Sequence, residues 1–520
     1  MSITKATSNV IAPILATGST VSRSLPDRFA DVVNVRDFGA KGDGTTDDTA
    51  AIQAAIASFS PYNLYNDGGA IYFPVGNYKI SSTIDLTGKH GLTLYGAGVN
   101  ATQVLMITGV NAPVFSSINT ASSYATPWNA GCIRDMTIRG GGNSLTSAHG
   151  ISADNTNGCS FRNLAIFSCY NALNIYNAFQ LTLNNIDIHG GGTDRCNNGL
   201  YMGEAASIGG YYNNAVFATV ISSYNCISSG FRIINGQGSK FTSCEAGNCD
   251  TGWYIGDPTT GTVQSQWVHC VNCLGDSCTT ANWKIVKGSA SALSQMYFVG
   301  CWSGNSPYLV YIDGASDLVF DGWLLVSGDT GVFLNNSSRV QCTNFRLIGY
   351  NRNNNSSYGF NVNSSANNNF VGSITSSFYF TGGDFLETGT SDVNFFNFYS
   401  SNTGTLLGTN SRSITNNAIF TKNAFSQTYK TLADSSSIIT FANANASWST
   451  GILSSSSANA LTFNYGASAV MQMTSGAINI QPSINLRLGV AATTATKTAT
   501  GKYISLVDST GATVYIPTYS

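Results

Sequence analysis

Only three glutamates occur in this 520-residue chain, Glu204, Glu245 and Glu387. Breaking a glycosidic bond usually takes two carboxyl groups, one a proton donor and the other a base or nucleophile. Asp187 and Glu245 are candidates for such a pair. In Leu183-Asn-Asn-Ile-Asp-Ile188 and Phe241-Thr-Ser-Cys-Glu-Ala246, apolar and polar residues alternate. Ile186, Ile188, Cys244 and Ala246 should therefore point inward and the two acids outward. One further copy of the pattern lies between them and aligns Ile221 with the acids. Strands stacked ~4.8 Å apart put the carboxyls ~9–10 Å apart, near the upper end of the range for inverting glycosidases and too wide for retaining ones. An apolar Ile221 between them would favour the acid form of one. His189, two residues after Asp187, is placed to orient it or share its proton.

Glu204 is the third catalytic candidate, because it leads into the long insertion Ala205–Tyr212. Its column, which includes Asp257, otherwise holds Asn155, Asn177, Asn235, Asp313 and Asn336, as a ladder of turns would. Another outward column reads Ser152, Asn174, Tyr201, Arg232, Tyr254, Lys284, Val310 and Phe333. Rings in a row can stack on pyranose faces, and Arg232 or Lys284 can pair with acidic sugars. Trp302 aligns outward beyond Glu245 and Val271 and is the preferred sugar platform, whereas Trp253 and Trp283 fall on inward positions. Elimination would instead need a base near a uronic acid's C5 proton and a neutralised carboxylate, parts that His189, Arg232 or Lys284 can supply. No cluster of acids stands out as a calcium site, so neither metal nor cofactor is expected.

These columns presuppose a repeat. A small residue followed by apolar, any, apolar recurs as Gly150-Ile-Ser-Ala, Ala172-Leu-Asn-Ile, Gly199-Leu-Tyr-Met, Gly230-Phe-Arg-Ile, Gly252-Trp-Tyr-Ile, Asn282-Trp-Lys-Ile, Gly331-Val-Phe-Leu and Gly359-Phe-Asn-Val, with a weaker copy at Tyr308. Short strands recurring at this period cannot bury a face alone, but stacked coils share one interior. The fold expected is all-β, a parallel β-helix. Composition agrees: charged residues are 10% of the chain, against ~25% in ordinary soluble proteins. Glycine (54) and asparagine (53) imply many turns, while 43% hydrophobic residues suffice for a core. A net charge of −2 without a basic patch argues against nucleic acid, and no apolar run approaches the ~20 residues that span a bilayer. All twelve cysteines fall between Cys132 and Cys342; the single CxxC, Cys270–Cys273, lacks the partners of a zinc site, and small buried residues are the plainer role.

Four regions follow: a leader at 1–30, an opening and capping segment at 31–90, the β-helix with glycan binding and catalysis at 91–394, and C-terminal β modules at 395–520 for trimerisation or carbohydrate binding. A helix is expected over 47–58, capped by Thr46 or Asp47, covering the open end of the solenoid. The alternation in Ile438-Ile-Thr-Phe and in Lys502-Tyr-Ile-Ser-Leu-Val, before the turn at Asp508, predicts strands in the tail.

The stretch Asn34-Val-Arg-Asp-Phe-Gly-Ala-Lys-Gly-Asp-Gly-Thr-Thr-Asp-Asp-Thr-Ala-Ala-Ile-Gln53 resembles the opening motif of the pectate-lyase-like β-helix superfamily. With Ser24-Leu-Pro-Asp-Arg-Phe-Ala-Asp-Val-Val33 before it, the chain resembles bacteriophage tailspike depolymerases in particular. The resemblance implies a right-handed helix, a homotrimer, and binding or cleavage of a bacterial capsular or O-antigen polysaccharide. It also implies a place in the virion tail, with synthesis in the host cytoplasm, attachment to other tail proteins through the N-terminus, and action at the bacterial surface. Asp43, Asp47 and Asp48 read as structural parts of the motif. No Gly-His-Gly of the polygalacturonases is present, which argues against a pectin hydrolase.

Overall fold

The computed structural model describes residues 13, 15, 17–59, 68–117, 128–203, 213–256, 264–288, 292–348, 358–363, 368–374 and 383–387, together with individual strands beyond them. Residues 1–387 with 402–406 form one unit, and 388–401 with 407–520 the other. In the first unit the chain winds through parallel coils whose strands pair in register from Val33–Asn34 to Gly383–Glu387. This is the expected parallel β-helix.

Each coil lays strands on three faces. In one coil, residues 182–184 lie on face A and 186–189 on face B, both within the strand Thr182–His189, and Asn198–Gly203 lies on face C. The next coil repeats this with Phe217–Tyr224 and Ser229–Ile233, paired Leu183 to Ala218, Asp187 to Ser222 and Tyr201 to Arg232. Faces A and B meet at a left-handed residue: Asn163, Asn185, Val220, Ser243 and Asn272 have φ of 52, 52, 54, 51 and 52°. Asparagine tolerates this conformation, and here it also ladders, Asn185 Nδ2 donating to Asn163 Oδ1 (3.1 Å) and Asn163 Nδ2 to Asp135 Oδ1 (2.7 Å).

Directly after each kink comes an inward residue. Ile186, Ile221, Cys244, Cys273, Cys301 and Trp323 fill that column and are buried. The thiols reach back across the kink to the carbonyl two residues earlier: Cys244 to Thr242 (3.4 Å), Cys273 to Val271 (3.5 Å) and Cys301 to Val299 (3.6 Å). The corner between faces B and C repeats the device, where Cys249 and Cys278 follow left-handed Asn248 and Ser277 and reach Gly247 (3.2 Å) and Asp276 (3.4 Å). All twelve cysteines are free and all but Cys132 are buried, the role expected of them.

Inside face C, Phe231, Trp253 and Trp283 stack coil on coil at 3.9 and 4.7 Å, and Trp253 Nε1 donates to the Leu274 carbonyl at 2.8 Å. Both tryptophans belong to the core, as their alternation indicates.

The expected helix spans Thr49–Ala57 and buries Ile52 and Ile56. Asp48, rather than Thr46 or Asp47, occupies the N-cap position, and its carboxylate instead accepts the N–H groups of Lys41 (2.6 Å) and Gly42 (2.9 Å). Hydrogen bonds from Thr46 and Thr45 hold the Asp43 carboxyl well below its ordinary range, and Ser81 and Thr49 do the same for Asp47. These acids tie the motif together, as the sequence implies. A one-turn helix at Leu25–Phe29, capped by Ser24, lies within the leader.

In the second unit, five antiparallel strands run from Ile438–Asn443 to Ala477–Ile480, and a hairpin joins Tyr503–Asp508 to Thr513–Pro517. Both alternating segments form strands. No described helix is long and apolar enough to cross a membrane.

Two outcomes follow from the packing. Trp253→Ala opens a cavity between two stacked rings and lowers stability by about 3–5 kcal/mol, read from denaturant midpoints, while Trp302→Ala on the outside costs far less. Burial pushes His149 down to about 4. The folded chain therefore binds this proton less readily than the unfolded one, so the stability it contributes is complete above 6.5 and is lost as pH falls towards 4. His149→Gln should flatten the pH dependence of the urea midpoint across that window.

Candidate functional site

Face B presents two outward columns. The first runs Asp187, Ser222, Glu245, Leu274, Trp302, and the second, two residues further along each strand, runs His189, Tyr224, Gly247, Asp276, Gly304. Asp187 and Glu245 thus share a column two coils apart, as the alternation predicts. Two intervening assignments change. Ser222, not Ile221, stands between them, and Leu274, not Val271, stands between Glu245 and Trp302. The cause is the kink: left-handed Val220 and Asn272 each use one residue between the faces, so Ile221 turns fully inward and Val271 stays on face A, beside Val299. The argument from an apolar neighbour of the carboxyls falls with Ile221.

The real neighbours are polar and joined. His189 Nδ1 hydrogen-bonds Asp187 Oδ1. The His189 ring stacks on Tyr224 at 4.9 Å with an interplanar angle of 8°. The Tyr224 hydroxyl donates to Glu245 Oε2 at 3.4 Å and the Ser222 hydroxyl to Glu245 Oε1 at 2.5 Å. Five side chains on three successive coils therefore form one continuous chain. Asp187 and His189 keep 53% and 43% of their side-chain surface, so the chain opens to solvent at that end. Burial first, then the Glu245 and Asp276 carboxylates, push the Tyr224 phenol up to about 12. A Cβ at Gly247 would lie 2.3 Å from Tyr224 Cε1, and one at Gly304 2.4 Å from Trp302 Cη2, so both rings lie down over glycine. Chemically, the Asp187–His189 pair can take up a proton, the phenol can give one, and a second carboxylate is fixed by two hydroxyls.

Sequence reasoning missed Ser222, Tyr224, Gly247 and Asp276. Their signal is the Asp-x-His spacing itself, repeated as Ser222-x-Tyr224, Glu245-x-Gly247 and Leu274-x-Asp276 once the kink is counted. Glu204 and Asp257 lie outside the described residues. Asn155, Asn177 and Asn336 are left-handed, as turn residues should be.

On face C, Tyr201, Arg232, Tyr254 and Lys284 form the predicted column, but its next member is Tyr311. Val310 pairs with inward Trp283 and is buried. The weak copy starts at Leu309, not Tyr308, with leucine in the small-residue place; Gly328 makes room for it, since a Cβ there would lie 2.5 Å from Leu309 Cγ. Arg232 lies 4.3 Å over the Tyr254 ring, and Lys284 Nζ lies 5.0 and 5.9 Å from Tyr254 and Tyr311. Tyr311 stacks on Phe333 at 4.9 Å. Lys284 is held between two rings and Arg232 over one. Among the described residues no group of three His, Cys, Asp or Glu side chains is placed to hold a metal ion.

Residues 32–280 match the family model "Rhamnogalacturonase A/epimerase, pectate lyase-like". Over 119 residues the chain is 37% identical to mannuronan C5-epimerase AlgE1 of Azotobacter vinelandii, covering 22% of the chain and 8% of that protein. Alginate lyase 7 of the same organism is 37% identical over 112 residues (21% and 12%). The pre-neck appendage protein of Bacillus phage B103 is 31% identical over 176 residues (34% and 18%). The chain thus spans less than a fifth of each of these relatives. Two solved structures share the fold: bacteriophage CBA120 tailspike protein 3, with 14% identity, coverage of 77% of this chain and 64% of that one, and a TM-score of 0.52; and the Dettilon tailspike protein, with 14%, 93%, 85% and 0.51.

The electrostatics of the site are checkable without a substrate. Glu245→Gln removes one of the charges that oppose the phenolate, so the Tyr224 pKa should fall from about 12 while staying above its ordinary 10.0, because burial remains. NMR of ring-labelled tyrosine, with Tyr224→Phe to assign the signal, reads the shift.

Proposed function

We propose that this chain is a phage tailspike that binds a bacterial surface polysaccharide, capsule or lipopolysaccharide O-chain, and cuts it internally by hydrolysis. In this reading it works as a homotrimer in the virion tail, attached to other tail proteins through its N-terminus. The observation that carries it is the outward-facing carboxyl pair on face B, exposed Asp187 braced by His189 and half-buried Glu245 braced by Ser222 and Tyr224. Two coils separate them by ~10 Å, wide enough to admit a water molecule beside the sugar. Glu245, held ionised by the two hydroxyls, takes the proton of that water, and the Asp187–His189 pair, carrying a proton, gives it to the leaving oxygen. Trp302, two coils beyond Glu245 in the same column, is the platform for a further sugar. The fold shared with two tailspikes supports the setting. On face C, Tyr201, Arg232, Tyr254 and Lys284 offer rings and positive charge to a bound glycan.

Elimination from a uronic-acid glycan is the second reading, favoured by the imidazole–phenol stack of His189 and Tyr224. An imidazole to remove a proton and a phenol to return one are the parts that reaction needs. The relatives named as a mannuronan epimerase and an alginate lyase support it.

Purified protein incubated with capsular polysaccharides should shorten one of them, with new reducing ends and no ultraviolet rise. Asp187→Asn and Glu245→Gln should each slow this by roughly 100-fold or more while binding persists. Ultraviolet absorbance growing with cleavage identifies elimination instead, and a glycan that is bound yet stays intact makes the protein an adhesin.

A further inference from the structure

Past residue 100, the large apolar side chains exposed on the described coils are confined almost entirely to one side. Phe217, Tyr297 and Val299 stand on face A at 38, 42 and 40% exposure. Val220 (49%) sits at the kink that ends the face, and Phe179 (44%) and Trp267 (47%) sit at the turn that leads into it. Ile227, at the corner after face B, is the exception. The patch extends over five coils, about 20 Å along the axis.

Face A is also poor in charge. Between Phe217 and Val299 its outward columns read Phe217, Lys240, His269, Tyr297 and Thr219, Thr242, Val271, Val299. Lys240 is the one permanent charge there, and His269, tilted against Tyr297 at 5.0 Å, is pushed down by burial and by Lys240. Face B at the same heights carries Asp187, Glu245 and Asp276, and face C carries Arg232 and Lys284.

That contrast specifies the partner. When copies of a chain are related by a rotation axis parallel to the coil axis, the surfaces that meet lie at the same height, and the residues nearest the axis meet their own counterparts. Turned towards that axis, face B or face C would set like charges against like, whereas face A sets apolar side chains against their own kind. The contact must be made by side chains, because the backbone groups of each coil are already used by the coils above and below. We propose that face A is the surface through which copies of this chain associate, side by side with their coils parallel. The proposal shares with the tailspike reading only the assembly of copies, and a chain without catalytic activity would leave it intact.

The test uses the full chain. Sedimentation equilibrium at micromolar concentration should show an oligomer. Tyr297→Lys with Val299→Lys should weaken association at least tenfold with an unchanged circular dichroism spectrum, while Ile227→Lys should leave it as it is. Should the double variant misfold, Val299→Cys or Val271→Cys serves instead. Under mild oxidation either cysteine should cross-link two copies, since counterparts lie at one height. A monomeric parent chain overturns the proposal. So does an oligomer that survives both lysines and shows no cross-link at either cysteine. If the lysine variants stay assembled but lose binding to a polysaccharide that the parent chain binds, face A is a glycan surface and the proposal falls.

Discussion

Everything in the coiled unit depends on parallel strands that stay in register from one coil to the next. Each strand's N–H and C=O groups find partners only in the coils above and below, so a strand cannot slip without exposing its own inward residues. That constraint makes a column out of every position. It brings Asp187, Ser222 and Glu245 together although 58 residues separate the two acids along the chain. It also stacks Phe231 on Trp253 and Trp253 on Trp283. Loops of any length may be inserted between faces, provided the next strand arrives at the same height.

The left-handed residues are what allow a flat strand to become a corner. Asparagine, serine and glycine occupy most of these places because they tolerate a positive φ. The residue after the kink must be apolar and fit the narrow inner angle, which cysteine does while offering its thiol to the carbonyl left beside the turn. High asparagine content, clustered cysteines and scarce proline are thus three expressions of one geometry. At the outer surface the glycines at 247 and 304 play a complementary part, allowing Tyr224 and Trp302 to lie against the backbone rather than stand away from it.

Much of this was legible in the residues. The small-apolar-any-apolar repeat located the strands of face C, and alternation placed Trp253 and Trp283 inside and Asp187, Glu245 and Tyr254 outside. The errors share a cause: a residue count that carries no side-chain signal. Val220 looks like a strand residue, so the turn it makes was invisible and Ile221 was placed one position out. Leu309 stands where other copies have glycine or asparagine, so the copy was started one residue early and Val310 took the place of Tyr311. Tyr224 was passed over because its importance lies in what it touches, a stacked imidazole and a carboxylate from two other coils, and no local pattern encodes that. Asp48 was hidden by its neighbours, since three aspartates in six residues all look able to cap a helix.

The cysteine columns give the chain a chemical history. In the finished coils the thiols are shut away, Cys132 apart, and an oxidant in the medium meets almost none of them. Before the coils close, the same thiols lie on flexible chain and are free to find one another. Vulnerability to oxidation is therefore concentrated in the interval between synthesis and closure of the solenoid. A molecule built this way needs a reducing environment while it winds and becomes indifferent to the redox state of its surroundings once wound.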